Sequence, residues 1–162
     1  MCGPLRSFEA GPTDWALRVN DQRSILEAHG RTYAVMDLKL ESRAGLLLAT
    51  AAGQVSLNEL VDLGKKVCDA ASERGLRRVL LDCVAVEGEL SVTERFILGK
   101  TIAEYSITRS IAVKVAILGN APTVTGLGAQ VAWNRGMMVE AFSERQAAMD
   151  WLNAFGSKAT GS

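Results

Sequence analysis

The segment that decides the fold runs from Arg77 to Tyr105 and reads RRVLLDCVAVEGELSVTERFILGKTIAEY. After its first residue, the run from Arg78 to Val84 is apolar except for Asp82, which is typical of a strand buried on both faces. Gly88 ends this run, and Ser91-Val-Thr-Glu94 is a capping box that begins a helix. Open α/β sheets place functional groups after the carboxyl ends of their strands. We therefore expect any site to lie at this junction.

The composition is that of an ordinary globular domain. The chain has 162 residues, of which 48% are hydrophobic and 22% charged, so it is long enough for one domain with a core. Its 18 basic and 18 acidic residues give a net charge of zero. This balance argues against nucleic acid or an anionic membrane as a partner.

Cysteine and histidine usage argues against a metal site. The three cysteines have no close spacing, and the single histidine, His29, has no metal-binding partner nearby in the sequence. We expect buried, reduced thiols, as in a cytosolic protein. The longest apolar run, Ala44 to Ala52, is far shorter than the roughly 20 residues of a membrane helix. With no secretory signal pattern at the N-terminus, the sequence predicts a cytoplasmic protein.

Strands and helices alternate on both sides of the opening segment. The order β-β-α-β-α-β-α-β-α predicts an α/β domain with a mostly parallel five-stranded sheet and an N-terminal hairpin. Three S-x-x-E/Q capping boxes, beginning at Ser56, Ser91 and Ser143, mark helix starts. Before the opening segment, the predicted elements are a strand over Val35 to Glu41, a turn at Ser42-Arg43-Ala44, a strand over Gly45 to Ala52 and a helix from Ser56 to Gly75. After it, they are a strand over Ile111 to Leu118, a helix over Thr123 to Asn134 and a strand over Met137 to Phe142. The last helix is predicted to bury Ala148, Met149, Trp151, Leu152 and Phe155.

The alternating pattern covers only part of the chain. We assign residues 35–155 to the domain, residues 1–34 to an N-terminal extension and residues 156–162 to a flexible tail. Within the extension, Asp14 to His29 predicts a weak helix with no single apolar face. A second interpretation is that Met36 is the true start of the protein.

Several segments resemble a known family. The matching region spans about Met36 to Asn153 and is similar to the STAS-like fold, which sulphate transporters share with anti-sigma-factor antagonists. Within it, the sequence resembles the SpoIIAA-like group of small bacterial proteins. The resemblance implies a protein-interaction module in signalling, with a kinase or an anti-sigma-type regulator as partner and no cofactor. The matching residues are Arg78–Asp82, Glu87–Ser91, Arg95-Phe96, Leu98-Gly99, Val115–Leu118, Val131–Gly136, Val139, Phe142, Ala148 and Trp151-Leu152.

The resemblance makes Ser91 a candidate phosphoacceptor. In anti-sigma-factor antagonists, a partner kinase phosphorylates a serine at the start of the helix after the third strand, and Ser91 lies at that position. The family's Asp-Ser-Ser-Gly run is replaced here by Gly88-Glu-Leu-Ser91-Val-Thr. The alternative is that Ser91 only caps the helix, because Glu87, Glu89 and Glu94 would repel a phosphate.

No motif predicts catalysis. The matching region contains no histidine that would form a triad with Asp82, whose side chain we expect to accept backbone or arginine hydrogen bonds. Glu87 and Glu89 lie in a loop, where two carboxylates are usually solvated rather than bound to Mg²⁺. Gly126-Leu-Gly128 lacks the third glycine of a dinucleotide loop, since Val131 occupies that position. The sequence therefore predicts a non-enzymatic protein without metal or cofactor.

The helix that begins at Ser91 has more apolar surface than one sheet requires. Val92, Phe96, Gly99 and Ala103 form one face of it, a second face lies beside the first, and Ile97 lies off both. The surplus is a partner or self-association surface, is covered by the N-terminal extension, or is buried by neighbouring helices. The predicted interaction surface comprises Glu87, Glu89, Leu98, Ile102 and Tyr105.

Two functions from different classes follow. The first is a non-enzymatic interaction module in bacterial signalling, with a protein partner or a second copy of the chain on this surface. The second is a carrier or sensor of a small apolar, lipid-like ligand. STAS-like folds resemble lipid-transfer folds of the Sec14 type, and such a ligand would occupy a cavity between the second helix and the sheet.

Overall fold

Strands and helices alternate in the order that the sequence predicts. A computed structural model describes residues 36–161, with the side chains of residues 36–154. The predictions for residues 1–34, including the Asp14 to His29 helix and the start at Met36, and the side chain of Phe155 lie outside this description. The elements are β1 (Asp37–Arg43), β2 (Leu46–Gln54), α1 (Leu57–Glu73), β3 (Arg78–Glu87), α2 (Val92–Thr108), β4 (Lys114–Leu118), α3 (Leu127–Asn134), β5 (Met138–Phe142) and α4 (Arg145–Gly161).

The described strands form one five-stranded sheet in the order β1-β2-β3-β4-β5. β1 and β2 pair antiparallel, and every other pair is parallel. Neighbouring side chains of β3 enter different cores, because successive residues of a strand point to opposite faces. Val79 packs in the core beneath α1, α2 and α3, and Leu80 packs with Ala148 and Leu152 of α4. The predicted α/β class, mostly parallel sheet and N-terminal hairpin are confirmed.

The hairpin turn lies later than predicted. Pairing of β1 with β2 continues to Arg43 opposite Leu46, so the loop is Ala44-Gly45 rather than Ser42-Arg43-Ala44. Both loop residues have positive φ, 53° at Ala44 and 77° at Gly45. This combination matches a two-residue turn whose twist suits the paired strands.

Three element boundaries also differ from the predictions. β3 extends to Glu87, because Glu87 still pairs with Gln54 of β2. β4 begins at Lys114 rather than Ile111. α3 begins at Leu127 rather than Thr123, after Gly126 in the left-handed conformation. The chain between β4 and α3 is therefore a longer loop than predicted.

Only one of the three predicted capping boxes is complete. Ser91 accepts the Glu94 N–H, and the Glu94 carboxylate accepts the Ser91 N–H. Ser56 accepts the Glu59 N–H, but the Glu59 carboxylate accepts the N–H of Met36 instead. The third box is wrong, since α4 begins at Arg145, one residue too late for a cap at position 143.

α4 covers the face of the sheet opposite the other three described helices. Ala148 and Leu152 are fully buried there, and the Trp151 ring packs against Phe142 with centroids 5.5 Å apart. The helix continues to Gly161 and so includes residues predicted as a tail. No helix within residues 36–161 is long and apolar enough to cross a membrane.

Candidate functional site

The side of α2 that faces the protein includes two polar residues. Its buried residues are Arg95, Gly99, Ala103 and Ser106, spaced at i, i+4, i+8 and i+11 along one face. The Ser106 hydroxyl donates to the Ala103 carbonyl, so this buried polar group is satisfied within the helix. Arg95 is only 8% exposed. An arginine this buried normally requires partners for its guanidinium.

Glycines let α2 approach both neighbouring helices closely. A Cβ at Gly99 would collide with the backbone carbonyl of Gly128 in α3. A Cβ at Gly64 in α1 would lie 2.6 Å from the Ile102 Cδ1 atom, which is too close for real contacts. A side chain at Gly99 would push α2 away from α3, whereas one at Gly64 would displace the Ile102 side chain. Gly99 therefore sets the distance of α2 from α3.

A cavity of about 150 Å³ lies between α2 and the sheet, flanked by α1 and α3. Leu98 and Ile102 of α2 line it on one side, and Val115 and Ile117 of β4 on the other. The lining is otherwise almost wholly aliphatic, with Arg95, Thr123 and Thr125 among its few polar residues. An apolar space of this volume is large enough for a benzene-sized molecule.

Two cysteine thiols in the wall of the cavity are uncharged. Burial raises the pKa of the Cys83 thiol to about 12, and the nearby Asp82 carboxylate adds to the rise. Burial raises the pKa of the Cys68 thiol to about 11, again with a smaller contribution from a neighbouring carboxylate, Asp69. Both cysteines are reduced, which agrees with the sequence prediction. At physiological pH the wall therefore carries no thiolate.

These thiols are expected to resist alkylation in the folded protein. At pH 8, only on the order of 0.1% of a thiol with a pKa near 11 is ionised, and both sulphur atoms are shielded from solvent. Iodoacetamide should modify Cys68 and Cys83 at least about 100-fold more slowly in the native protein than in urea, as measured by peptide mapping. Equal rates in the two conditions would show that the cavity wall is open to water.

Arg95 ties two loops together at one end of the cavity. Its Nε donates to the Leu90 carbonyl at 2.8 Å, in the loop after β3. Its Nη2 donates to the Pro122 carbonyl at 2.7 Å and its Nη1 to the Thr125 hydroxyl at 2.8 Å, in the loop after β4. The exposed Glu89 carboxylate lies 3.9 Å from Nη2. We call this group of contacts the Arg95 latch.

A second hydrogen bond joins the same two loops. The Thr123 hydroxyl donates to the Gly88 carbonyl at 2.6 Å. Gly88 has a φ of 100°, a conformation that side-chain-bearing residues rarely adopt. The loop after β3, where the sequence predicts any site to lie, is therefore held to the loop after β4 by hydrogen bonds.

The predicted residues of the loop lie at the surface. Ser91, Glu87 and Glu89 are all exposed. Glu87 accepts a hydrogen bond from the Gln54 side chain at 3.3 Å. The Ser91 hydroxyl caps α2, as predicted by the alternative in which Ser91 only caps the helix.

Removing the Ser91 cap is expected to lower the stability of the protein by a measurable amount. Ser91→Ala should lower the free energy of unfolding by about 1 kcal/mol, because the Glu94 N–H loses its partner. Ser143→Ala is the matched control, since no cap forms there, and should change stability by less than about 0.5 kcal/mol. Urea unfolding measures both. Equal losses would mean that Ser143 caps α4 after all.

The apolar part of the predicted interaction surface faces inward. Leu98 and Ile102 are half-buried and line the cavity. The Tyr105 hydroxyl donates to the Asp69 carboxylate of α1 at 2.8 Å, and the Arg109 guanidinium lies 4.3 Å from the ring centroid. Ile102 and Tyr105 therefore contact α1 and the core, and Leu98 lines the cavity, while the two glutamates stay at the surface.

Other apolar side chains of α2 are exposed instead. Val92 is 71% exposed, Phe96 46% and Ile97 40%. We call these three residues the N-terminal patch of α2; it lies in the first two turns, next to the Glu87–Ser91 loop. The Arg135 guanidinium lies 5.5 Å from the Phe96 ring centroid. Sequence reasoning missed this orientation because Arg95 and Ser106 point inward.

Asp82 has a structural role. Its carboxylate accepts the Val84 N–H at 3.0 Å and the Arg145 Nη2 at 2.6 Å, which confirms the predicted hydrogen bonds from backbone and arginine. Among the described residues, no group of three or more histidine, cysteine and acidic side chains is placed to hold a metal ion.

The domain has the STAS-like fold. Its structure is similar to that of an anti-sigma factor antagonist from Mycobacterium paratuberculosis, with a TM-score of 0.50 and 11% identity over 73% of this chain and 94% of that one. An uncharacterised protein with a SpoIIAA-like fold from Shewanella loihica aligns with a TM-score of 0.45 and 19% identity over 75% of this chain and 96% of that one. No protein-family model and no curated protein matches the sequence.

Proposed function

We propose that this protein is a non-enzymatic, regulatory protein-interaction module in bacterial signalling. The observation that carries the proposal is the N-terminal patch of α2, where three apolar side chains are exposed on the helix that follows the third strand. Aromatic side chains such as Phe96 are enriched in protein interfaces. The fold supports the proposal, since it is shared with an anti-sigma factor antagonist.

Two glutamates beside the patch support a partner with basic residues. Glu87 and Glu89 are exposed at its edge, and the Glu94 carboxylate already caps the helix. A complementary surface would present basic residues around an apolar centre. A kinase or an anti-sigma-type regulator with such a surface is the partner we propose, and a second copy of this chain is the alternative.

Ser91 offers a way to control that contact. Its exposed hydroxyl lies between the two loop glutamates and the patch. A phosphate there would add negative charge beside Glu87 and Glu89 while remaining at a helix N-terminus. We propose that phosphorylation of Ser91, where it occurs, changes affinity for the partner.

Site-specific crosslinking tests the interaction. A photoreactive phenylalanine analogue replaces Phe96 in one variant and Ala147, which is exposed on α4, in the control. We expect position 96 to form an adduct with one protein in the native cells, and the purified partner to bind the wild type but not a variant carrying Glu87→Lys and Glu89→Lys. The proposal fails if positions 96 and 147 give the same adducts. An adduct with a second copy alone would replace the partner with a homodimer.

The cavity favours a second candidate function, binding of a small apolar ligand as carrier or sensor. The space lies where such a ligand was expected, between α2 and the sheet. Largely pre-formed apolar cavities are the usual small-molecule sites of proteins. Native mass spectrometry of gently purified protein should then detect a bound molecule of constant mass. Only unliganded protein, with nothing in a solvent extract of it, would count against this candidate.

A further inference from the structure

The size and charge of the cavity restrict what it can bind. We infer that its ligand is a compact, uncharged apolar molecule of about six to ten non-hydrogen atoms, such as a small aromatic or branched aliphatic compound, and not a long-chain lipid. This inference rests on the second candidate function, and it names the ligand class for that site.

Volume excludes a long chain. A cavity of about 150 Å³ matches a single benzene-sized ring and leaves little further space. The contact of Gly99 with the Gly128 carbonyl holds α2 against α3, so this side of the cavity does not widen without separating those two helices. A ligand that exceeds the cavity would have to displace Leu98 or Ile102 from its wall.

Electrostatics exclude a charged ligand. The Cys68 and Cys83 thiols are neutral at physiological pH. The one cation among the lining residues, Arg95, makes hydrogen bonds to Leu90, Pro122, Thr123 and Thr125 and lies near Glu89. A carboxylate ligand would have to compete with these partners. Burial of an unpaired charge is strongly unfavourable, so a neutral ligand is preferred.

The Arg95 latch lies at one end of the cavity. Leu90, Thr123 and Thr125 line this end and belong to the two loops that Arg95 joins. The same two loops precede α2 and α3.

Methyl NMR of the full chain with three probes tests the inference. Toluene is the neutral probe, benzoate is nearly the same size but charged, and palmitate is long. We expect toluene to shift the methyl signals of Leu98, Ile102 and Val115 saturably, with a Kd of about 1 mM or tighter, while Val92 and Ile97 at the surface stay unchanged. Toluene should bind at least about tenfold more tightly than benzoate.

A filled variant provides the matched control. Ala132→Leu adds side-chain volume at a lining position and should abolish the toluene shifts while its own spectrum remains that of a folded protein. Palmitate shifting the inner methyls at lower concentration than toluene would overturn the inferred ligand class but leave apolar-ligand binding standing. If the methyl signals of Leu98, Ile102 and Val115 respond to none of the probes, both the ligand class and apolar-ligand binding are overturned. Neither result bears on the N-terminal patch.

Discussion

Arg95→Met is expected to lower the free energy of unfolding by about 3–5 kcal/mol, the largest effect of any single side chain outside the apolar core. The variant keeps most of the side-chain volume but removes every donor of the latch. The carbonyls of Leu90, which is buried, and of Pro122 would lose charge-assisted hydrogen bonds. The two loops would then be joined only by the bond from Thr123 to Gly88.

Urea unfolding monitored by circular dichroism measures this loss. Lys100→Met is the control, because Lys100 is exposed on the same helix, and should change stability by less than about 0.5 kcal/mol. Arg95→Lys should recover only part of the loss, since an ammonium group cannot reach the separate acceptors of a planar guanidinium. A loss below about 1 kcal/mol for Arg95→Met would show that the latch does not hold the loops.

Two matched substitutions on opposite faces of the sheet should change stability in opposite directions. Ala132→Leu in α3 fills part of the cavity and is expected to stabilise the protein by about 1 kcal/mol. Ala148→Leu in α4 enters the core formed with Leu80, Leu118 and Leu152, where Ala148 is fully buried, and should destabilise by about 2–3 kcal/mol. Both are alanine-to-leucine changes in helices, so the cost in helix propensity is the same.

Unfolding of the two variants and the wild type in urea gives the comparison. The free energies of unfolding of the two variants should differ by about 3 kcal/mol, with Ala132→Leu more stable than the wild type. Destabilisation of both variants by similar amounts would mean that α2 packs directly on the sheet. That result would also remove the structural basis for ligand binding.

The fold was predictable because its signals are local. Buried strands appear as short apolar runs, and the capping residues Ser56 and Ser91 mark helix starts within four residues of sequence. The third predicted cap was wrong, and no local signal marks the start of α4 at Arg145. Arg145 instead pairs with Asp82 of β3, 63 residues earlier in the chain, a contact that local sequence does not reveal.

The orientation of α2 was not predictable from its own sequence. Hydrophobic periodicity places arginine outside, whereas Arg95 is buried because its acceptors come from a loop 27 to 30 residues away. The rotation of the helix is fixed by the contact of Gly99 with Gly128. Periodicity cannot decide whether Ile97 or Ile102 faces the core, since both are equally apolar. The one sequence signal for this orientation was the pair of small residues Gly99 and Ala103, which lie between polar residues on the same face of the helix.

The two sides of α2 lie in different environments. Leu98 and Ile102 bound an apolar cavity, and Phe96 and Ile97 reach solvent. The proposed partner contact uses the outer side and the proposed ligand site uses the inner one. Substitutions on one side should therefore leave the other function unchanged, as the crosslinking and NMR experiments would reveal.

A crystal structure of the protein under xenon pressure tests this two-sided arrangement most directly. Xenon binds dry apolar cavities of this size. We expect xenon between α2 and the sheet, in contact with Leu98, Ile102 and Val115, and outward-facing side chains at Val92, Phe96 and Ile97. Absence of xenon, with Phe96 or other side chains filling the space, would contradict it.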